Sequence, residues 1–150
     1  MRRLLPAALL GAALLWSCAG EGPSSSSGGS AFDVIQEEIF NPNCLGAGCH
    51  NSTSRSGNLD LSPGVSYQSL VNVVPDNFVA ASKGLLRVTP LEPDQSFLII
   101  KLTGPGEGEG SRMPQGADPL PQDQIDMISD WILDGAPPPG TPAPTATPVP

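Results

Sequence analysis

The single histidine of this 150-residue chain directly follows the second of two closely spaced cysteines. The segment reads Cys44-Leu45-Gly46-Ala47-Gly48-Cys49-His50. Two thiols followed by a histidine are the groups that attach a c-type haem: each thiol bonds to one vinyl group, and the imidazole ligates the iron. The usual spacing is two residues, whereas four separate the cysteines here, so the extra residues must loop out between the sulfur atoms. Glycine and alanine at positions 46–48 suit such a loop.

Two other interpretations of these three residues stay open at this point. Cys44 and Cys49 are suited to a disulfide that closes a small loop, which is compatible with export to an oxidising compartment. A zinc site is the third interpretation, although Cys44, Cys49 and His50 supply only three ligands. The haem interpretation is favoured because the sole histidine occupies the position that iron ligation requires.

A second axial ligand is predicted in a glycine-rich loop over residues 104–116. Met113 lies there in the sequence Ser111-Arg112-Met113-Pro114, where no apolar helix face needs filling. Met127 falls within a predicted helix and is assigned to the core. We therefore expect His50 and Met113 to ligate the iron from opposite sides. A six-coordinate iron transfers electrons and leaves no position for a substrate, so an enzyme is not expected.

Both ends of the chain differ in composition from the middle. A basic start, an apolar stretch over residues 4–16 and Ser17-Cys18 predict a signal peptide, residues 1–17, and acylation of Cys18. The run before Cys18 resembles a bacterial lipobox; the alternative is an ordinary secretory signal. Residues 18–30 are rich in serine and glycine and predict a flexible tether, and residues 137–150 predict a proline-rich disordered tail. The folded domain is expected over residues 31–136.

Hydrophobic spacing predicts the first two helices of this domain. The first begins with a capping box in which Ser30 caps the helix and Asp33 pairs with it. Its buried face consists of Phe32, Ile35 and Ile39. Asn41-Pro42 is expected to end this helix. The second helix is expected to begin at Ser62-Pro63 and to bury two residues, Val65 and Leu70.

The sequence of the second half of the domain predicts two more helices and little other regular secondary structure. Pro93 begins the third helix, whose apolar stripe contains Leu98 and Leu102. Pro121 begins the fourth, and Gly135 ends it. The buried face of the fourth helix consists of Ile125, Ile128, Trp131 and Ile132. With an extended piece over residues 85–88, these elements predict an all-α fold wrapped around one haem, and a chain largely unfolded without it.

Charge restricts the partners of the chain. The formal net charge is −8, and only 7 residues are Lys or Arg, which excludes a basic surface for nucleic acid. A partner with a basic docking face is expected instead. Three cations are candidates for pairing with haem propionates: Arg55, Lys101 and Arg112. No apolar run reaches the length of a stable membrane span, so membrane contact is expected through the lipid on Cys18 alone.

The order of these motifs resembles class I cytochrome c, and more narrowly the small bacterial c-type cytochrome domains with four residues between the cysteines. The likeness rests on Cys44…Cys49-His50, Ser96-Phe97-Leu98, Lys101-Leu102-Thr103-Gly104, Met113-Pro114 and the ending Trp131-Ile132-Leu133-Asp134-Gly135-Ala136. The resemblance implies one covalent haem c at Cys44 and Cys49, iron ligation by His50 and Met113, and an electron-carrier role.

The expected location is the cell envelope, with the outer membrane or surface favoured because Ala19, rather than Asp, follows Cys18. The alternative function is a non-redox envelope lipoprotein, closed by a Cys44–Cys49 disulfide, that serves as a binding module. A haem enzyme or sensor with an open iron site is a third hypothesis.

Overall fold

The computed structural model describes residues 29–141. The predicted signal peptide, Cys18 and the last nine residues of the tail therefore lie outside the described residues. Within residues 29–141, the protein is mostly helical, and the β features are two isolated parallel bridges, Val71 with Val88 and Leu86 with Ser96. This confirms the helical class. No helix in this range combines the length and the apolarity that crossing a membrane requires.

Six α-helical segments and three tighter or wider helical turns follow one another along the described chain. The α-helical segments are α1 Ala31–Ile35, α2 Asn41–Cys44, α3 Ser66–Leu70, α4 Phe78–Ser82, α5 Phe97–Thr103 and α6 Gln122–Leu133. A π-helical turn, Gln36–Phe40, joins α1 to α2, and 3₁₀ turns occupy Ser56–Asn58 and Pro93–Gln95. The segments from Ala31 to Cys44 form one continuous helical stretch, since the joining residues have helical dihedrals.

The start of this first stretch is as predicted, whereas its end is not. Ser30 and Asp33 form the capping box: the Ser30 hydroxyl accepts from the Asp33 amide, and the Asp33 carboxylate accepts from the Ser30 amide. The prediction that Asn41-Pro42 ends the helix is wrong, because helical structure continues to Cys44. The wider π turn ends at Phe40, two residues before Pro42, and the Asn41 amide donates to the Gln36 carbonyl in the i→i+5 pattern. The helical stretch therefore carries the first cysteine on its last residue.

The second predicted helix begins later than expected. Its first helical residue is Ser66, since Gly64 has φ +83° and breaks the turn that starts at Ser62. Leu70 is fully buried as predicted, but Val65 is 44% exposed, which contradicts its assignment to the core. The short helix α4 was not predicted at all; the Asn77 side chain caps it by accepting from the Ala80 amide.

The last two helices agree closely with the sequence. The third predicted helix is divided into the 3₁₀ turn at Pro93 and α5, and Leu102 of α5 is buried. Helix α6 buries the four predicted residues, Ile125, Ile128, Trp131 and Ile132, and Gly135 follows it with φ +92°. Helices α1 and α5 both contact α6. Their apolar faces form one core around the fully buried Ile35, Ile39 and Ile128.

Packing continues past Ala136, the domain boundary that composition predicts. The Trp131 indole donates to the Pro137 carbonyl, with 2.9 Å between Nε1 and O. The Gly140 amide donates to Ser30 Oγ and Asp33 Oδ2, each at 3.1 Å. The segment 137–140, called here the proline strap, therefore joins the end of α6 to the beginning of α1.

Candidate haem site

A cavity of about 340 Å³ lies between the loop that follows α2, the start of α4, and α5 with the glycine-rich loop after it. Three of the predicted site residues line it together: Cys44, His50 and Met113. Its volume is in the range of small-molecule and cofactor sites, about 300–1,000 Å³. Apolar side chains make up much of the wall: Leu59, Leu61, Leu70, Phe97, Leu98 and Leu102.

The loop between the two cysteines is closed by its own backbone. The His50 amide donates to the Cys44 carbonyl at 3.1 Å, and the Cys49 amide donates to the Gly46 carbonyl at 3.0 Å. Gly48 has φ +78°, a conformation that glycine adopts without strain. The four residues between the thiols thus form a compact bulge, as the spacing requires. Cys49 lies outside the cavity lining.

Asn51 holds this bulge in place, a role that the sequence did not reveal. Its Nδ2 donates to the carbonyls of Leu45 and Gly46, at 3.3 and 2.9 Å. Its Oδ1 accepts from the amides of Thr53 and Ser54. One amide side chain therefore connects the cysteine loop to the turn that follows the histidine. An asparagine directly after the Cys-His pair, in a serine-rich turn, is the signal that points to such a role.

The two thiols are not joined to each other within the described chain. Burial, with a smaller contribution from Cys49, raises the pKa of the Cys44 thiol to about 11, so this thiol is protonated at neutral pH. Among residues 29–141, no three His, Cys, Asp or Glu side chains are grouped to hold a metal ion. Cys44, Cys49 and His50 are accordingly not arranged as a zinc-binding group.

The His50 imidazole is oriented by a backbone carbonyl. Its Nδ1 lies 2.9 Å from the Ser56 carbonyl oxygen. Because a carbonyl oxygen only accepts, Nδ1 carries the proton, and in the neutral ring the lone pair is on Nε2. Burial lowers the pKa of His50; hydrogen bonding to the backbone at Ser56 and Leu59 opposes this shift. A neutral imidazole with a fixed tautomer is the form that ligates a metal.

Arg87 is the principal site residue that sequence reasoning missed. It lines the cavity although only 7% of its surface is exposed. Its guanidinium donates to the carbonyls of Ser69, Gly57 and Asn58, at 2.9, 3.0 and 3.2 Å. These bonds hold the turn that also presents the Ser56 carbonyl to His50. An arginine between apolar residues of an extended segment, Leu85-Leu86-Arg87-Val88, is the sequence signal that identifies it.

The loop carrying Met113 is organised by a buried carboxylate. Glu109 is 4% exposed, pairs with Lys83 Nζ at 2.8 Å and accepts from the Gly106 amide at 2.6 Å. These donors, the Lys83 bond foremost, lower the pKa of Glu109. Lys101 Nζ donates to the carbonyls of Glu109 and Ser111. The glycine-rich loop is therefore held by two lysines, Lys83 after α4 and Lys101 of α5, despite its composition.

Met113 itself is tied to α5 and packs on the core. Its amide donates to the Lys101 carbonyl at 2.7 Å. Its half-buried side chain contacts the same apolar cluster as Cys44. Met127, which was assigned to the core, packs against that cluster from α6 and does not line the cavity.

The cations around the cavity differ from those first considered for propionates. Lys101 lines it, whereas Arg55 and Arg112 do not. Arg55 pairs instead with Asp60, with 3.3 Å between Nε and Oδ2. Arg87 takes their place as a buried cation on the cavity wall. Lys101 and Arg87 are thus the cavity cations that would meet an anionic group.

The chain matches no protein-family model, no curated protein and no solved structure in the three comparisons made. The site is therefore interpreted from its own geometry.

Proposed function

We propose that this chain is a monohaem c-type cytochrome that carries electrons in the cell envelope, not an enzyme. Haem c is bonded to Cys44 and Cys49, and its iron is ligated by His50 and Met113. The observation that carries the proposal is the convergence of His50 and Met113, far apart in sequence, on one largely apolar cavity beside Cys44. The fixed Nδ1 proton of His50, which leaves the Nε2 lone pair for a metal, supports it further.

The four residues proposed to bind haem supply the groups that it requires, which are two thiols, an imidazole and a thioether. Each thiol adds across one vinyl group: a C–S bond forms, the thiol hydrogen goes to the neighbouring carbon, and nothing leaves. Neutral imidazole and thioether are established axial ligands of c-type iron. Arg87 and Lys101 would supply positive charge for the two propionates, and the leucines that line the cavity would meet the apolar ring. The cofactor supplies one-electron exchange at the iron.

The protein residues position this group and exclude other reactions. Asn51 and Arg87 hold the loops that carry the cysteines and the histidine, so the iron ligands are held in place before electron transfer. With both His50 and Met113 as ligands, the iron would have no position left for a substrate. The fold is accordingly the cytochrome c-like all-α type, with short helices and long loops around one haem.

The partners and location follow from charge and from the chain ends. A net charge of −8 favours redox partners with a basic docking face, and their association weakens as salt is added. A lipid on Cys18 anchors the protein to a membrane, with the outer membrane or surface favoured. Membrane contact is through this anchor alone, and no nucleic acid is bound.

The test is expression of the full chain together with export and haem-attachment machinery. We expect a haem-staining band that survives denaturation and a reduced absorbance spectrum typical of c-type cytochromes. Cys44→Ser/Cys49→Ser abolishes both signals. Cys18→Ser is the matched control, because it removes a cysteine and the lipid but keeps the haem. A colourless product with a Cys44–Cys49 disulfide overturns the proposal in favour of a non-redox binding module.

A further inference from the structure

The side of the domain where the proline strap begins holds a second groove, of about 350 Å³, which the proposed haem site does not use. One wall is a face of the first helical stretch: Asp33, Gln36, Glu37 and Asn41. The opposite wall is the segment from Pro63 to Gln68, and Phe32 and Pro139 also line the groove. We call it the strap groove. It shares no lining residue with the haem cavity.

The proline strap already binds this side of the domain through aromatic donors. Trp131 Nε1 donates to the Pro137 carbonyl at 2.9 Å, and the Tyr67 hydroxyl donates to the Ala136 carbonyl at 3.0 Å. Both rings pack against Phe32, with centroids 5.0 and 5.4 Å from it. Aromatic residues that donate to the carbonyls of a proline-rich segment are the usual means of recognising a polyproline II helix. The contact of Trp131 with Pro137 has this character, whereas the contact of Tyr67 is with Ala136, the residue before the strap.

The described chain ends where the strap groove begins. The Gly140 amide is bonded to Asp33, at the first position of the helical wall, and Pro139 lines the groove itself. From Asp33 to Asn41 the wall extends for about 12 Å at 1.5 Å per residue. The nine residues 142–150 cover about 28 Å at 3.1 Å per residue in a polyproline II helix. The remaining tail is therefore long enough to follow the groove to its far end.

The groove has the chemistry to take a neutral, proline-rich segment. Its buried polar groups are satisfied internally: Gln36 donates to Leu61 and Asn41 and accepts from Ser66. Two exposed side-chain amides, Asn41 Nδ2 and Gln68 Nε2, have no hydrogen-bond acceptor within residues 29–141. They are donors for the carbonyls of an incoming segment. Residues 142–150 have no charged side chain, whereas the tether carries Glu21, which the carboxylates of Asp33 and Glu37 repel.

We propose that the strap groove is a binding site for the proline-rich C-terminus of this same chain, residues 142–150. Such a contact needs little intrinsic affinity, because a short linker gives an effective concentration of about millimolar. In this position the tail would lie along the helical wall of the groove, from Asp33 to Asn41. The proposed contact uses none of the residues that line the haem cavity.

The test compares amide chemical shifts of the full chain with those of a chain that ends at Thr141. We expect differences beyond the new terminus, at Asn41, Gly64 and Gln68. A synthetic peptide of residues 142–150, added at millimolar concentration to the shortened chain, restores the full-chain shifts. The same peptide with alanine at its four prolines does not. Asn41→Ala/Gln68→Ala weakens peptide binding several-fold, whereas Gln95→Ala, at an exposed position outside the groove, does not.

Three results overturn the proposal. The spectra of the full and shortened chains agree everywhere except at the terminus. The alanine peptide restores the shifts as well as the proline peptide does. Deleting residues 19–28, rather than the tail, moves the groove signals, which identifies the tether as the occupant.

Discussion

The two ends of the first helical stretch are in contrasting surroundings. At Ser30, the capping box, the aromatic rings of Phe32, Tyr67 and Trp131, and the proline strap lie together beside the strap groove. At Cys44, the chain leaves a cavity walled by leucines and held open by hydrogen-bonded loops. The first region is held by aromatic packing and hydrogen bonds, whereas the second brings Cys44, His50 and Met113 to one cavity, the proposed haem site. The comparison teaches that the aromatic packing and the proposed haem site lie at opposite ends of one helical stretch.

The largest expected effect on stability is at the aromatic end. Trp131 is 1% exposed and packs on Phe32, so Trp131→Ala should lower the free energy of unfolding by about 3–5 kcal/mol. Guanidinium unfolding of the native protein measures it. Phe78→Ala is the control, because a side chain that is 83% exposed should change stability by less than about 0.5 kcal/mol. Equal effects of the two substitutions would contradict the packing described here.

The largest expected effect on the proposed haem site is at Met113. Met113→Ala removes the proposed distal ligand, so the reduced haem protein should bind carbon monoxide and its reduction potential should fall. Met127→Ala is the matched control, since Met127 packs on the core outside the cavity. Carbon monoxide titration followed by absorbance gives the answer. Binding of carbon monoxide to the unaltered reduced protein would show that Met113 is not a ligand of the iron.

A smaller effect on the haem is expected from Arg87. Its buried positive charge opposes the additional charge of ferric iron, so Arg87→Gln should lower the reduction potential. Arg87→Lys keeps the charge and should shift the potential less. Arg55→Gln, which removes an exposed arginine paired with Asp60, should leave it unchanged. Potentiometric titration compares the three variants, and a rise in potential for Arg87→Gln would refute the electrostatic role.

The smallest expected effect is at the helix cap. Ser30→Ala should cost about 1 kcal/mol of stability, the usual value of a capping side chain. Hydrogen bonds from Ser30 lower the pKa of Asp33 from 3.8, with a smaller contribution from Gly140. A lowered folded-state pKa stabilises the fold above about pH 4, and this contribution is lost as the pH falls through the folded pKa.

Asp33→Asn tests the same contact by its pH dependence. The difference in melting temperature between Asp33→Asn and the unaltered protein should be present at pH 7 and should shrink as the pH falls through the lowered folded-state pKa of Asp33. Asp134→Asn, at an exposed position after α6, is the control. A difference that stays constant over this range would mean that Asp33 does not act through its charge.

Local signals account for the parts of the fold that the sequence predicted well. The capping box joins two residues that are three positions apart, Ser30 and Asp33. The buried face of α6 follows the helical repeat of its apolar residues. Both features can therefore be predicted from residues close together in the sequence. The helical class and the approximate positions of most helices follow from the same patterns. His50, Cys44 and Met113 were singled out by residue type and spacing, and the structure brings these three to one cavity.

The remaining features depend on contacts between distant residues. Pro42 stays within a helical stretch because a π turn precedes it, which no local rule predicts. Arg87 donates to the Gly57 carbonyl, 30 positions earlier in the chain, a contact that local sequence does not predict. Ser56 contacts His50 through its backbone carbonyl, so the serine side chain gives no sign of this role. Composition assigns Pro137 and Gly140 to the disordered tail, but Pro137 accepts a hydrogen bond from Trp131 and Gly140 donates one to Ser30.

Intact-mass spectrometry of the mature chain, purified under denaturing conditions from cells with complete export and haem-attachment machinery, tests the central claim most directly. We predict a mass increased by one covalently bound haem, located on the peptide that contains Cys44 and Cys49 and absent from the Cys44→Ser/Cys49→Ser variant. A mass equal to that of the polypeptide with its lipid alone, with both cysteines free or joined to each other, would contradict the account.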